Sequence, residues 1–436
     1  MTRRTSRSAR YPDRRVSGNY PHASRLEEVE RAFRTLPERY LGAEPGFDAT
    51  YHVRLGDLGH TWEVRATTHG ARVRKGITRR QPDATIGTDS VTWMHLREGR
   101  LSGIEAFSRR RLYARGHLDL AVAFEGLFRL PNGRAPLVRV HDVKAGRTRV
   151  STLTMGAGRD VLLLHGLGAT KASFFDTAAA LSRGGYRVHA LDLPGFGSSS
   201  KPATAPYNAA YFADSVLGVM DALEIDRAHV VGNSLGGRVA IELGLRAPGR
   251  VHGLGLLCPA VAFLKRAYHP VVRLLRPELG IVPHRFGRKT IVNQFLALFA
   301  DPGAIDPSVA DIVVDEFQRI YGSPGARLAF LSAARNVYLE KPFGRDGFYP
   351  RLGELERPTL FVWASHDRVI PAAFARHVAE WLPGAEQIVL DACGHAPQVE
   401  RPEQTNGLLR RFFARVDALD APARPAAARS AGQAAA

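Results

Sequence analysis

The chain has 436 residues, 45% of them apolar, and its 60 Lys and Arg outweigh 42 Asp and Glu to leave a formal net charge of +18. No apolar run approaches the ~20 residues of a membrane helix, no apolar stretch follows the basic N-terminus as a signal peptide requires, and two cysteines, Cys258 and Cys393, make neither a disulfide framework nor a Cys/His metal set. Only seven of the basic residues are Lys, the Arg are spread along the chain, and no stacking aromatics accompany them, so no nucleic-acid partner is expected.

The first 15 residues hold six Arg and one acid. Residues 1–45 therefore read as a disordered basic tail and a lead-in helix. Residues 46–135 read as a small α+β domain. Tyr51 to Leu55 and Thr61 to Arg65 alternate apolar and polar, as half-buried antiparallel strands do. Ala71 to Val73 is a third short strand. Asp83 to Asp89 is a strand closing on a helix cap. Val91 to Leu96 is a helix ended by Gly99, and Ile104 to Phe107 starts another. Arg111 to Gly116 is a strand, and Asp119 to Leu130 an amphipathic helix stopped by Pro131. A segment of this size is large enough for its own core.

From about residue 136 the pattern changes. Val161 to Leu164 is a buried strand, and the loop after it reads His165-Gly166-Leu167-Gly168. His229-Val230-Val231 is another strand, running into Gly232-Asn233-Ser234-Leu235-Gly236 and then a helix. This is a G-x-S-x-G turn in the strand–turn–helix setting it requires. The glycines are needed because a Cβ at either place would strike the neighbouring strand or helix. About Phe263 to Tyr349 is a long insertion, in which Ile291, Phe295, Leu298 and Phe299 recur at helical spacing. It predicts a helical cap over Ser234. Its early part carries Lys265, Arg266, Arg273, Arg276, Arg285, Arg288 and Lys289, a solvated face or a patch for transient membrane contact or an acidic substrate.

A serine hydroxyl needs a base, and the base an orienting acid. Thr359 to Ala364 is a strand with Asp367 just beyond it. Gln387 to Leu390 is the next, followed by Asp391-Ala392-Cys393-Gly394-His395. The expected nucleophile, acid and base are Ser234, Asp367 and His395. Asp391 and Asp192 compete for the acid role, but Asp192 precedes the nucleophile. His366 reads as a solvent-facing neighbour. Developing negative charge needs preorganised donors, and the backbone N–H groups of Leu167 and Leu235 are the candidates. No metal or cofactor is expected. Residues 416–436, rich in Ala with Pro and Arg, read as a disordered tail.

His165 to Gly168, Asp192 to Ser198, Gly232 to Gly237, the Asp367 loop and Gly394-His395 together resemble the α/β-hydrolase superfamily. The resemblance covers about residues 140–415, within a domain expected over 136–415 with its cap at 263–349. It implies an eight-stranded, mostly parallel sheet wrapped by helices and a Ser-His-Asp triad cleaving an ester of an apolar acyl or lipid substrate. The Asn233-Ser234-Leu235-Gly236-Gly237 form also resembles hydrolases of carbon–carbon bonds, and acyl transfer stays open on the same triad. A serine here argues against epoxide hydrolases and haloalkane dehalogenases. The earlier segment resembles the sterol-carrier-protein type of lipid-binding domain, through Pro82 to Ile86, Leu96 to Arg100, Arg111 to Gly116 and Leu120 to Phe124. That resemblance implies an apolar tunnel, and leaves open a lipid carrier or sensor in which hydrolysis is secondary. The expected location is cytoplasmic, and the oligomeric state is not legible.

Overall fold

The computed structural model describes residues 22–78, 81–264, 276–282 and 287–420. Residues 1–21 and 421–436 of the expected terminal segments 1–45 and 416–436, and Lys265, Arg266, Arg273 and Arg285 of the insertion, lie outside the described residues. Among the described residues no helix is long and apolar enough to cross a membrane.

Two sheets organise the chain. The first holds β1 (Asp48–Leu55), β2 (His60–Thr67), β3 (Gly70–Lys75), β4 (Ala84–Thr88) and β5 (Leu112–Gly116), in the order β3-β2-β1-β4-β5. Its inward residues, Tyr51, Val53, Trp62 and Val64, meet the helices His22–Arg34 and Ser90–Glu98. The Phe33 ring stacks on Trp62 at 4.4 Å and on Trp93 at 4.6 Å. Burial of such large rings is the main force holding this layer.

The second sheet holds β6 (Val138–Ala145), β7 (Thr148–Gly156), β8 (Arg159–Leu164), β9 (Tyr186–Leu191), β10 (Ala228–Asn233), β11 (Val251–Leu257), β12 (Thr359–Ala364) and β13 (Glu386–Leu390). The order is β13-β12-β11-β10-β8-β9-β7-β6. From β13 to β9 every pair is parallel, and β7 alone runs opposite to the rest, pairing antiparallel with both β9 and β6. This is the eight-stranded, mostly parallel α/β sheet that the motifs imply. Helices cover both faces, which is why β8, β10 and β12 read as near-continuous apolar runs. Parallel strands put the loops after β8, β10, β12 and β13 at one sheet edge.

The halves share packing. Ile104, Ala114 and Leu118 belong to the same apolar cluster as Val138, Phe174 and Phe175. Leu118 N donates to Glu316 Oε1 at 2.8 Å, tying the first half to the insertion's helix Pro307–Tyr321.

Two expectations need correction. The helix expected from Asp119 to Leu130 ends at Ala123, followed by a 3-10 turn at Glu125–Leu127. Gly126 there runs against β6, where an added Cβ would lie 2.9 Å from Val138 O. Packing against β6 thus overrides the local helical pattern. The last helix, Pro402–Asp420, runs past the expected tail boundary at residue 416. Asp417 holds it by accepting from Tyr186 Oη at 2.8 Å and His229 Nε2 at 2.9 Å.

Candidate active site

Ser234 sits between β10 and the helix Leu235–Arg246 with φ 52° and ψ −116°. A non-glycine residue there is strained by about 1–3 kcal/mol and persists only when its surroundings hold it. Ser234 N donates to Leu257 O at 3.1 Å, and its carbonyl accepts from Arg238 N at 3.1 Å and Ala260 N at 2.9 Å. The flanking glycines have no room for a side chain. A Cβ on Gly236 would lie 2.0 Å from Leu164 O, and one on Gly232 would lie 2.2 Å from Gly236 O.

His395 Nδ1 lies 2.7 Å from Asp367 Oδ2, and both residues are buried. The other oxygen, Oδ1, accepts from Val369 N at 2.7 Å and Ile370 N at 2.8 Å. The carboxylate is thereby fixed in position. Asp391 is exposed and accepts from Ser365 Oγ at 3.1 Å. Asp192 lies in a separate buried cluster, where its Oδ2 is 2.7 Å from Lys171 Nζ. His366 is exposed and its Nδ1 meets Ser365 Oγ at 2.8 Å.

The His395 loop is tied to the elbow. Asn233 Nδ2 donates to His395 O and to Leu257 O, each at 3.0 Å. From the cap side, His395 N donates to Leu298 O at 2.7 Å. Glu400 Oε2 accepts from Gly394 N at 2.6 Å and its Oε1 from Asp301 N at 2.9 Å. Neither Asn233 nor Glu400 is among the site residues expected from the sequence. Asn233 was visible as the residue before the serine, whereas nothing local marks Glu400.

The loop His165–Gly168 abuts this centre. A Cβ on Gly166 would lie 3.2 Å from Ser234 Cβ, and one on Gly168 3.0 Å from the Phe330 ring of the cap. Leu235 is the first residue of its helix, so its N–H belongs to the opening turn that lacks an intrahelical acceptor. Leu167 is the middle of the turn beside it.

Among the described residues, Cys258, Asp367 and His395 are the one group spaced like metal ligands, their donor atoms within 4.8 Å of one another. They fit a metal poorly. Asp367 already accepts three N–H groups. Burial, and then the nearby Asp367 charge, push the Cys258 thiol well above its usual range, whereas a metal needs the thiolate.

Residues 161–402 match the alpha/beta hydrolase fold family, and the chain belongs to that family. Residues 39–129 match the SCP-2 sterol transfer family. The chain is similar to the 2-hydroxymuconate semialdehyde hydrolase of Pseudomonas putida, with 30% identity over 64% of this chain and 95% of that one. It is 29% identical to the pimeloyl-[acyl-carrier protein] methyl ester esterase of Aeromonas hydrophila, over 60% of this chain and 98% of the relative. Among solved structures, a membrane phospholipase A, a bacterial virulence factor, superposes with a TM-score of 0.54 at 27% identity, covering 64% of this chain and 87% of that one.

Proposed function

We propose that this hydrolase is a serine carboxylic-ester hydrolase acting on a neutral ester with an apolar acyl group. The observation that carries the reading is the buried 2.7 Å His395–Asp367 pair on a loop that Asn233 bonds to the Ser234 elbow. Ser234 Oγ attacks the ester carbonyl while His395 Nε2 takes its proton. Asp367 keeps the other ring nitrogen protonated and stabilises the imidazolium. The N–H groups of Leu167 and Leu235 receive the oxyanion. His395 returns the proton to the leaving alcohol, leaving an acyl-Ser234. Water, activated by His395, then releases the acid.

A second reading, carbon–carbon bond hydrolysis, is favoured by the muconate-type relative. A muconate carries a carboxylate that its site must neutralise. Several described cations around the elbow and the cap have partners within the chain. Arg238 is held by Glu242 and Glu340, Arg319 by Glu316, and Arg327 by the main-chain carbonyls of Gly280, Tyr321 and Gly322.

The N-terminal half holds a cavity of about 80 Å³ whose lining includes Ile86, Trp93, Leu112 and Phe124. Phe175 and Leu137 of the hydrolase half complete its wall. Its apolar lining supports a lipid-class ligand here.

A fluorophosphonate probe tests the nucleophile, with labelling expected at Ser234. A p-nitrophenyl ester panel beside a ring-fission dienoate tests the substrate. Faster turnover of the dienoate than of every ester sinks the ester reading.

A further inference from the structure

The turn His165–Gly168, which carries the Leu167 N–H, reaches the N-terminal half along two routes. The first runs through Lys171, a few residues past Leu167. Its main-chain N–H donates to Asp192 Oδ1 at 2.8 Å, and its Nζ reaches Asp192 Oδ2 at 2.7 Å. Asp192 alone therefore neutralises the ammonium and anchors the main chain at that point. Asp119, in the helix Leu118–Ala123 of the N-terminal half, adds a second carboxylate, its Oδ2 lying 2.8 Å from the same Nζ. Ser198 Oγ also donates to that oxygen. Burial opposes the Asp119 charge, but the Lys171 ammonium holds the carboxyl below its usual range. Two carboxylates on one buried ammonium leave a net negative charge, which burial disfavours. Charge balance thus does not account for Asp119.

The second route runs through the cap. Leu118 N donates to Glu316 Oε1 at 2.8 Å, and Arg319 Nη2 grips the other oxygen of that carboxylate at 2.6 Å. The same cap helix, Pro307–Tyr321, ends on Tyr321, whose ring meets Phe330 edge-on at 5.6 Å. Phe330 closes on Gly168, where φ is 78° and an added Cβ would lie 3.0 Å from the ring. Adjacent residues of one short helix, Leu118 and Asp119, brace the turn from the cap and from the Lys171 end.

We infer that Asp119 is a positioning residue for hydrolysis at Ser234: through Lys171 it fixes the turn so that the Leu167 N–H faces the oxyanion. Such a donor works only if it already points where negative charge develops. A turn held at its far end by a buried ion pair resists swinging away from the elbow. The two lie close, since a Cβ on Gly166 would be 3.2 Å from Ser234 Cβ. The N-terminal half thereby contributes to the reaction without touching substrate. The inference rests on the serine-hydrolase reading, and its test separates the two.

The experiment compares the full chain with its Asp119→Asn variant, at a temperature where circular dichroism shows both folded. The probes are p-nitrophenyl octanoate and octyl trifluoromethyl ketone. Ser234 Oγ adds to the ketone's carbonyl carbon, its proton passes to His395, and the carbonyl oxygen takes the electron pair as an oxyanion. Removing an oxyanion donor costs about 10²–10³ in kcat, and loosening one should cost about tenfold. Asp119→Asn should therefore lower kcat and kcat/KM together by about tenfold, change KM by less than about twofold, and weaken the ketone in proportion. If Asp119→Asn does not fold, Ser198→Ala carries the test, since it removes one bond that holds the Asp119 carboxylate, and the same parallel losses are expected at smaller amplitude. A lower melting temperature with kcat and ketone affinity unchanged, or a rise in KM alone, overturns the inference and leaves Asp119 a structural bridge. No turnover of the ester and no binding of the ketone by the unaltered chain overturns the serine-hydrolase reading instead.

Discussion

Lys171 Nζ lies 2.8 Å from Asp119 Oδ2, joining a buried ammonium of the hydrolase half to a carboxylate of the N-terminal half. The same nitrogen reaches Asp192 Oδ2 at 2.7 Å and Ser151 Oγ at 3.1 Å. Ser198 Oγ adds a donor to Asp119. Burial alone would lower the Lys171 pKa, but the two carboxylates more than offset this and raise it. Lys171→Met leaves two carboxylates buried together, and removing one partner of a buried pair costs about 3–5 kcal/mol. Asp119→Asn keeps the Lys171–Asp192 pair and should cost less. Denaturant melts of the two variants check the ranking, and an unchanged midpoint in Lys171→Met would show that the cluster is not stabilising.

Ser234→Ala should lower kcat by about 10⁶, because triad members act as a unit. Ser234→Gly should do the same and also stabilise the fold by about 1 kcal/mol, since glycine relieves the strain at φ 52°. Ester turnover and thermal melts measure the two effects. A melting temperature lower in the Gly variant than in the Ala variant contradicts the strain.

Asp367→Asn should drop kcat by about 10⁴, as a triad acid does when it no longer selects the tautomer. Asp391→Asn, on an exposed carboxylate, should change it less than about tenfold. The reverse order of kcat values would move the acid role to Asp391.

Glu125 gives a pH signature. Its Oε1 is buried without a donor, and burial pushes the carboxyl up to about 8 despite the bond from Gly103 N. The unfolded chain loses this proton near ~4.3, so between there and about 8 the folded state holds a proton the unfolded state has lost. Stability therefore falls as pH rises through this window, by at most ~1.4 kcal/mol per unit from this group. Glu125→Gln should flatten that part of the slope. Denaturation midpoints at intervals from pH 5 to 8 test it, and an identical slope in the variant would assign the pH dependence elsewhere.

Both cysteines should be inert in the native protein. Burial raises Cys393 to about 12, and Cys258 also lies well above the usual thiol range. Iodoacetamide at mildly alkaline pH should label neither until the chain unfolds, as read by mass spectrometry. Rapid native labelling of Cys258 would mean that its thiol is more accessible, or more ionised, than its burial beside Asp367 allows.

The local chemistry of the chain was enough to read the elbow, because strand, tight turn and helix are adjacent in sequence and the glycine spacing has a steric cause at Leu164 O and Gly236 O. The same holds for β1 and β2, whose alternation is a local period, and for the parallel sheet, whose runs are apolar because both faces are covered. Only the tertiary structure brought Asp367 to His395 while leaving Asp391 exposed, stopped the helix after Ala123 against β6, and set Asp119 on Lys171, 52 residues away. Those outcomes depend on which surfaces meet, and a carboxylate's neighbours across a fold leave no trace in the residues beside it in the chain.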